Sequence, residues 1–262
     1  MKKPKEKFFY FSSLISIIFG VVYMNERNKK VINLVQKILI TKNSIPSTTI
    51  YLLDVKKEPP SSKSINRIFG PPIGIDDDSW PIYKEMKNLA QEASKEYDGD
   101  SRMDHVFTLN LQDLQLNIPA TVQALAVFLS DYVYNEAWEP NSKHIKVITL
   151  SKDDLSKGVY QGNLPKKMLK KATTFQLIPV KVPENIFFSP FERELDEDDP
   201  FTQLNDALLN AGYIGGNPIW IQNDESPNTP FILQFDESFA DINLGDAGIM
   251  YVFLSTAFWQ CV

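Results

Sequence analysis

Three blocks of similar sequence occur twice along the chain in the same order, and this repetition constrains the fold more than any other feature. The paired blocks are Ile68–Asp78 with Ile214–Asp224, Phe107–Leu111 with Phe231–Phe235, and Val127–Ser130 with Val252–Ser255. In the first pair the copies lie 146 residues apart (68 to 214), and six positions have the same residue: Ile68, Gly70, Pro72, Ile73, Ile75 and Asp78. Chance rarely preserves the order of three blocks, so the sequence predicts an internal duplication.

Each copy has a Gly-Pro turn, a loop, an alternating strand, a second turn and a further apolar strand. The first half covers about residues 48–155 and the second about residues 200–262. Alternation predicts that one face of each alternating strand is buried, namely Phe107, Leu109 and Leu111, and Phe231, Leu233 and Phe235. Asn110 and Gln234 are predicted to face away from that core and to line any groove shared by the halves. The equivalent strands are expected to be related by an approximate two-fold axis.

Hydrophobic spacing predicts further elements outside the repeated blocks. The predicted helices are Val31–Leu39, Pro81–Tyr97, Pro165–Ala172 and Phe201–Asn210, and the predicted strands are Thr48–Val55 and Lys146–Leu150. The helix Pro81–Tyr97 accounts for an insertion in the first half, because its apolar residues lie on one helical face. The predicted fold class is α+β, internally duplicated, with mainly antiparallel sheets, flanking helices and an N-terminal hydrophobic helix.

An uncharged apolar run, Phe8–Met24, lies between two groups of basic residues near the N-terminus. The run is at the short end of the roughly 17–25 residues that span a bilayer, and no small-x-small cleavage site follows it. We therefore expect residues 1–25 to form a single membrane anchor ahead of a domain over residues 26–262. The alternative is that Met24 is the true start, which predicts a cytoplasmic protein. Basic residues on both sides leave the membrane orientation open.

The charge of the chain is unevenly distributed. Residues 1–30 contain seven Lys or Arg and two acids, so a net charge of −6 for the whole chain leaves −11 for the remainder. Nucleic-acid binding needs a basic face, and the acidic body disfavours it. The same charge suits a basic protein partner.

Cys261 is the only cysteine, so no intrachain disulfide can form. A nucleophilic thiol would need His105 or His144 close to it, and the alternative is that Cys261 is a small core residue. Two histidines without neighbouring cysteines do not indicate a zinc site. The acidic segments Asp76–Asp78 and Glu192–Asp199 are interpreted as a turn and as a solvated loop that caps the following helix, rather than as cation sites. We predict no metal and no cofactor.

Several motifs of the chain fit together in the order of one known family. They are the Gly-Pro segment before Trp80-Pro81, Leu109–Leu114, Gly215–Trp220 with Gln222, Phe231–Asp236, Leu244–Gly248, Met250–Phe253 and Trp259–Cys261. The chain resembles the YwqG-like family of bacterial domains over roughly Asn25–Val262, and its C-terminal half matches better. The first half departs from the pattern at Phe69–Pro72 and at Gln123–Leu125. The resemblance implies an α+β fold of two related halves and carries no established activity.

Polar and aromatic residues in the matched C-terminal region are the candidate ligand-binding residues. They are Trp220, Gln222, Gln234, Asp236 and Asp246. Amides and carboxylates at strand ends can converge on a groove, with Trp220 as a stacking wall. The structural alternative is that Asp246 caps the Gly245–Gly248 turn, Asp236 ends a strand and Trp220 belongs to the core.

No catalytic set is apparent in the sequence, and whether the protein is an enzyme stays open. We predict a non-enzymatic binding or protein-interaction module, for which an immunity role against a basic protein is one form. The alternative is an enzyme that uses carboxylates and amides in a groove between the repeats.

Overall fold

The computed structural model describes residues 24–41, 45–83, 102–130, 139–140, 142–164, 171–189 and 196–261. The α-helices are α1 (Glu26–Thr41), α2 (Lys152–Ser156) and α3 (Pro200–Ala211). The strands are β1 (Ser47–Lys56), β2 (Arg67–Ile68), β3 (Asp104–Asn110), β4 (Ala124–Leu129), β5 (Ile145–Leu150), β6 (Thr173–Pro183), β7 (Tyr213–Ile214), β8 (Phe231–Asp236), β9 (Ile249–Phe253) and β10 (Ala257–Gln260). A mainly antiparallel sheet flanked by helices confirms the α+β class.

All ten strands of the described residues belong to one antiparallel sheet in the order β10-β9-β8-β7-β1-β6-β2-β3-β4-β5. The long strands β1 and β6 pair at its centre. Strand β1 also pairs with β7, and β6 also pairs with β2. The two edge strands, β5 and β10, come into contact with each other. The sheet is thus curled almost into a barrel.

The concave side of the curled sheet holds the largest apolar cluster. Phe107 from β3 and Phe235 from β8 make an edge-to-face contact at 5.7 Å between ring centroids, and Phe239 packs against both. Leu109 and Leu233 are fully buried in the same cluster. The predicted burial of these strand faces is therefore confirmed, as it is for Leu111.

The prediction is wrong for Phe231, the first residue of β8. A register shift between Phe231 and Leu233 marks a β-bulge against β9. Because a bulge adds one residue to the strand, it changes the face on which the preceding side chain lies. Phe231 is only half-buried and packs with Tyr213 and Phe253 on the convex side.

Helices α1 and α3 cover the convex side of the central strands. The apolar stripe of α1 and that of α3 meet β1, β6 and β7 in one cluster that includes Val31, Ile38 and Leu204. The α1 helix starts after Asn25, whose Oδ1 accepts from the amide of Asn28 at 2.9 Å. The α3 helix is capped by Asp199, as expected for the acidic run.

Two predicted helices lie largely outside the described residues. The proposed helix Pro81–Tyr97 is described only at its first residues, where Ile82 forms a β-bridge with Arg102 and is half-exposed. The chain is therefore extended where this helix was predicted to begin. Most of Pro165–Ala172 is not described.

The apolar run Phe8–Met24 lies outside the described residues except for Met24, which is buried. Among the residues that the structure describes, no helix combines the length and the apolar character needed to cross a bilayer.

The acidic segment Asp76–Asp78 forms the predicted turn. Asp76 Oδ1 accepts from the Ser79 amide at 2.9 Å and from its hydroxyl at 2.5 Å. These hydrogen bonds, with Lys157 nearby, hold the pKa of Asp76 well below its usual value. Within the described part of the chain, no group of three or more His, Cys, Asp or Glu residues is arranged to hold a metal ion.

Candidate functional site

Arg27, in the first turn of α1, joins three elements at one end of the convex face. Its Nη1 donates to Asp236 Oδ2 at 2.6 Å, to the Asn210 carbonyl at 2.8 Å and to Ser238 Oγ. Asn210 is in the last turn of α3, and Asp236 is the last residue of β8. One guanidinium therefore links α1, α3 and the end of β8.

A cavity of about 360 Å³ opens beside this guanidinium. Its rim is polar and consists of Arg27, Asn210 and the segment Asp236–Ser238. Its floor is largely apolar and includes Leu209, Ile221 and Ile249. We call this cavity the Arg27 cleft; an apolar floor with a few polar groups at the rim is the usual composition of a binding site.

The two carboxylates at the rim differ in their contacts. Asp236 binds Arg27 through Oδ2, and its Oδ1 accepts from the Ser238 amide at 3.0 Å. Glu237 accepts from the Leu244 amide through Oε1 at 3.0 Å, which fixes the loop after β8. Within the described residues, Glu237 Oε2 has no hydrogen-bond partner. Glu237 therefore retains an oxygen that can accept from a ligand.

Only Asp236 among the five predicted site residues lines the Arg27 cleft. Trp220 and Gln222 flank the lining residue Ile221, and Asp246 precedes the lining residue Ala247. Four of the five predicted residues are therefore in or next to this cleft. Asp236 lines it, and the other three are sequence neighbours of lining residues.

Trp220 is a core residue. It is 7% exposed, and its ring lies 4.6 Å from that of Tyr251 and stacks near Phe253 and Phe258. The Tyr251 hydroxyl accepts from the Ile221 amide at 3.1 Å and donates to the Ile219 carbonyl at 2.9 Å. Burial raises the pKa of Tyr251, so this hydroxyl stays protonated. The structural interpretation of Trp220 is confirmed.

Gln234 is completely buried and does not line an open groove, so that prediction is wrong. It does lie on the strand face opposite Leu233, as alternation required, but that face is covered by the Gly215–Ile221 segment. Its Oε1 accepts from the Ile219 amide at 2.7 Å and lies 2.9 Å from the Tyr213 hydroxyl. The amide therefore holds a loop onto the sheet. Asn110 is half-buried and accepts from the Gln112 amide.

Gln222 and Asp246 are exposed on the loops that border the cleft. Gln222 Nε2 donates to the Cys261 carbonyl at 2.6 Å, which ties its loop to the C-terminus. Asp246 makes no hydrogen bond within the described residues. Asn243 rather than Asp246 caps the turn, since its Oδ1 accepts from the Gly245 amide at 2.8 Å.

Neither histidine activates Cys261. The thiol lies 3.1 Å from the Leu244 carbonyl and is partly buried against the core, as the structural interpretation predicted. His144 Nδ1 lies 2.8 Å from Ser130 Oγ, and both residues are buried, with Ser130 only 1% exposed.

His105 is fully buried beside the buried guanidinium of Arg67. Its ring nitrogens lie 3.1 Å from the Gly70 carbonyl and 2.9 Å from Thr108 Oγ1. Burial, with the charge of Arg67, lowers the pKa of His105 to about 3, and burial lowers the pKa of Arg67 to about 10. Arg67 donates to the carbonyls of Ser61, Ser64 and Pro71. These two side chains therefore stabilise the Gly-Pro segment rather than form an accessible site.

Sequence reasoning missed Arg27, Asn210 and Glu237. Arg27 was grouped with the basic residues that flank the apolar run, and a contact between residues 27 and 236 has no local signal. The spacing Asp236-x-Ser238 was the available clue, because an aspartate that accepts from the amide two residues on forms a turn at a strand end.

The fold and the cleft define a class: an α+β protein with one curled ten-stranded antiparallel sheet and a small polar-rimmed cleft on its convex side. The chain matches no model of a known protein family and no curated protein sequence.

Proposed function

We propose that this protein is a non-enzymatic interaction module that binds a basic partner at the Arg27 cleft. The observation that carries the proposal is a charge asymmetry around the cleft. Residues 194–262 contain twelve Asp or Glu and no Lys or Arg. This stretch supplies every wall of the cleft except Arg27, so the field at its mouth is negative and attracts cations.

The composition of the cleft suits a basic side chain. The methylene groups of a partner's lysine or arginine can pack on Leu209, Ile221 and Ile249, while the charged head remains at the polar rim. Glu237, with one oxygen unpaired in the described structure, and exposed Asp246 are the acceptors for this head. Arg27 pairs with Asp236, so Glu237 and Asp246 are the carboxylates that remain for the cation of the partner.

Calorimetric titration with acetyl-arginine amide tests the proposal, and acetyl-citrulline amide serves as an uncharged probe of the same shape. We expect millimolar binding of the arginine probe and at least about tenfold weaker binding of citrulline. The double variant Glu237→Gln/Asp246→Asn should weaken arginine binding by about tenfold.

The matched control is Asp224→Asn/Glu225→Gln, which removes the same charge from exposed positions outside the cleft lining. It should bind the arginine probe almost as well as the unmodified chain. Equal weakening by both double variants contradicts a specific site and leaves only long-range attraction. Turnover of a small molecule that Glu237→Gln abolishes would instead support the enzyme alternative.

We also propose that the two halves of the sheet arose by duplication. The strand order supports this, because it reads equivalently from either edge when β1 to β5 are matched with β6 to β10. The register of the strands also supports the duplication. Ile68 of β2 pairs with Phe107 of β3, and Ile214 of β7 pairs with Leu233 of β8. Strands β3 and β8 each have a bulge just before this paired residue. This matches Phe107 with Leu233 rather than with Phe231.

The turns after β2 and β7 give the same correspondence. The Phe69 amide donates to the Val106 carbonyl at 2.7 Å, and the Gly215 amide donates to the Ile232 carbonyl at 2.9 Å. Phe69 and Gly215 both have positive φ, as do Gly70 and Gly216 that follow them. On this basis the second half begins at β6 rather than near residue 200.

We propose further that the chain belongs to the YwqG-like family and that Phe8–Met24 forms an N-terminal membrane anchor. A two-half α+β architecture supports the first. The second rests on the uncharged apolar run and its basic flanks. Together they describe an acidic interaction module held at a membrane.

A further inference from the structure

A second cavity, of about 460 Å³, lies at the opposite end of β8 from the Arg27 cleft. It is bordered by the first residues of β1, the loop before β4 and the turn after β7. Its polar lining consists of Thr48, Gln115, Asn117, Glu184 and Asn217. We call it the glycine-turn pocket, because Gly215 and Gly216 form part of its wall.

The polar side chains of this pocket have unused hydrogen-bonding capacity. Within the part of the chain that the structure describes, none of the five forms a hydrogen bond or an ion pair through its side chain. Three carry amides, which both donate and accept, one carries a hydroxyl and Glu184 carries a carboxylate. No Lys, Arg or His is among the described residues that line the pocket. The pocket therefore offers many neutral donors and acceptors and a single negative charge.

Two half-buried aromatic rings, Phe187 and Phe231, complete the lining. The Phe187 ring packs directly on Gly216, where a Cβ atom would lie 2.3 Å from Cζ of the ring. Gly216 also has a φ of +68°, a backbone conformation that residues other than glycine rarely adopt. The glycine thus lets the backbone pass beneath the ring and keeps the ring at the pocket wall.

We propose that the glycine-turn pocket binds a neutral polyhydroxylated ligand of the sugar class. Sugar hydroxyls both donate and accept, so they match an amide-rich lining, and Glu184 can accept from two of them. The C–H face of a sugar ring is apolar and can pack on Phe187 or Phe231. A phosphate or carboxylate ligand has no cation to pair with here and would be repelled by Glu184.

Saturation-transfer NMR on the full-length protein tests the proposal with D-glucose, D-galactose and D-mannose as separate probes. We expect magnetisation transfer to at least one hexose at about 10 mM, as for a millimolar complex. Glu184→Ala and Asn217→Ala should each weaken that binding by about tenfold. The matched controls are Glu58→Ala and Asn228→Ala, which change exposed residues of the same types outside the pocket lining and should retain binding.

None of the four replaced side chains is buried, so all four variants are expected to fold. Their melting temperatures check this. Absence of transfer to all three hexoses overturns the proposal, as does equal weakening by pocket and control variants. Binding of inorganic phosphate that the hexoses do not compete for would also overturn it. The outcome is independent of the Arg27 cleft, since the two cavities share no residue.

Discussion

Gln176 donates a hydrogen bond from Nε2 to Oδ2 of Asp54 at 3.0 Å, and the two residues are register partners in the β1–β6 ladder. In the proposed duplication they are equivalent positions, so the pair lies on the approximate two-fold axis. Asp54 is 1% exposed and also accepts from Asn25 Nδ2 at 3.0 Å and from Lys56 Nζ at 2.5 Å. One buried carboxylate therefore joins β1 and β6 to the start of α1.

Replacement of Asp54 by Ala is expected to lower the free energy of unfolding by about 2–3 kcal/mol, because Asn25 and Gln176 lose a shared acceptor in a buried position. Urea unfolding measures the loss. Asp78→Ala, at an exposed position whose side chain makes no hydrogen bond or ion pair within the described residues, should change stability by less than about 0.5 kcal/mol. An effect of Asp54→Ala as small as that of the control would show that this carboxylate does not stabilise the contact of β1 and β6 with α1.

Leu233 and Gln234, adjacent on β8, are both expected to be essential for stability. Leu233→Ala should cost about 2–5 kcal/mol through the cavity that it leaves in the concave core. A Gln234 side chain that lined an open groove, as the sequence predicted, would contribute little to stability. Since Gln234 is buried and accepts from the Ile219 amide, Gln234→Ala should cost about 1–3 kcal/mol.

Urea unfolding measures both losses, and limited proteolysis distinguishes the two roles. Loss of the Gln234 amide should also expose the Gly215–Ile221 segment to proteolysis. The control Ile40→Ala, at a residue that is 77% exposed, should change neither the stability nor the proteolysis of this segment. If Gln234→Ala is as stable as the unmodified chain, the amide does not anchor this loop.

The buried His105 predicts a dependence of stability on pH. The pKa of His105 is about 3 in the folded protein, whereas that of an ordinary solvated histidine is 6.5. Between these pH values only the unfolded chain binds the proton. The free energy of unfolding should therefore fall as pH falls below 6.5, by about 1.36 kcal/mol per pH unit from this residue. Carboxylates such as Asp154, whose pKa is lowered by hydrogen bonds that Ser151 donates, add their loss as the pH falls below about 5.

Urea unfolding from about pH 7 to about pH 4 measures this slope. His105→Gln should be less stable at neutral pH but should have a flatter profile over this range. Thr108→Val removes a hydrogen-bond partner of His105 and keeps the imidazole, so it should lower stability while preserving the slope. An unchanged slope in His105→Gln would assign the pH dependence to other groups.

Deletion of residues 1–23 is expected to leave a soluble chain that unfolds cooperatively. The described fold starts at Met24, and the α1 contacts of Asn25, Arg27 and Asn28 are all retained. Fluorescence of the buried residues Trp80 and Trp220 reports unfolding, and sedimentation with membranes reports location. Aggregation of the truncated chain, or unchanged sedimentation with membranes, would contradict the assignment of the anchor.

Local sequence was sufficient for elements whose signals are short in range. The helical spacing of Val31 to Ile38, the cap Asp199 before Pro200, and the alternation in Phe107-x-Leu109 each specify a structure within a few residues. The bulge in β8 was not visible, because a single inserted residue leaves hydrophobic alternation almost unchanged while it moves Phe231 to the other face.

The sequence by itself determined the α+β class, the helices α1 and α3, the strands β1, β3, β4, β5, β8 and β9, and the acidic character of the body, since propensity, periodicity and charge are local or additive. It did not predict β6, which lies at the centre of the sheet, or the edge strand β10. Only the tertiary structure decided that β1 pairs with β7 and β6 with β2, because strand partners are selected by packing between distant segments. The same packing buries Gln234 and brings Arg27 to Asp236, 209 residues away in the chain. A site assembled from such separated residues has no local pattern, and its geometry follows only from the curl of the complete sheet.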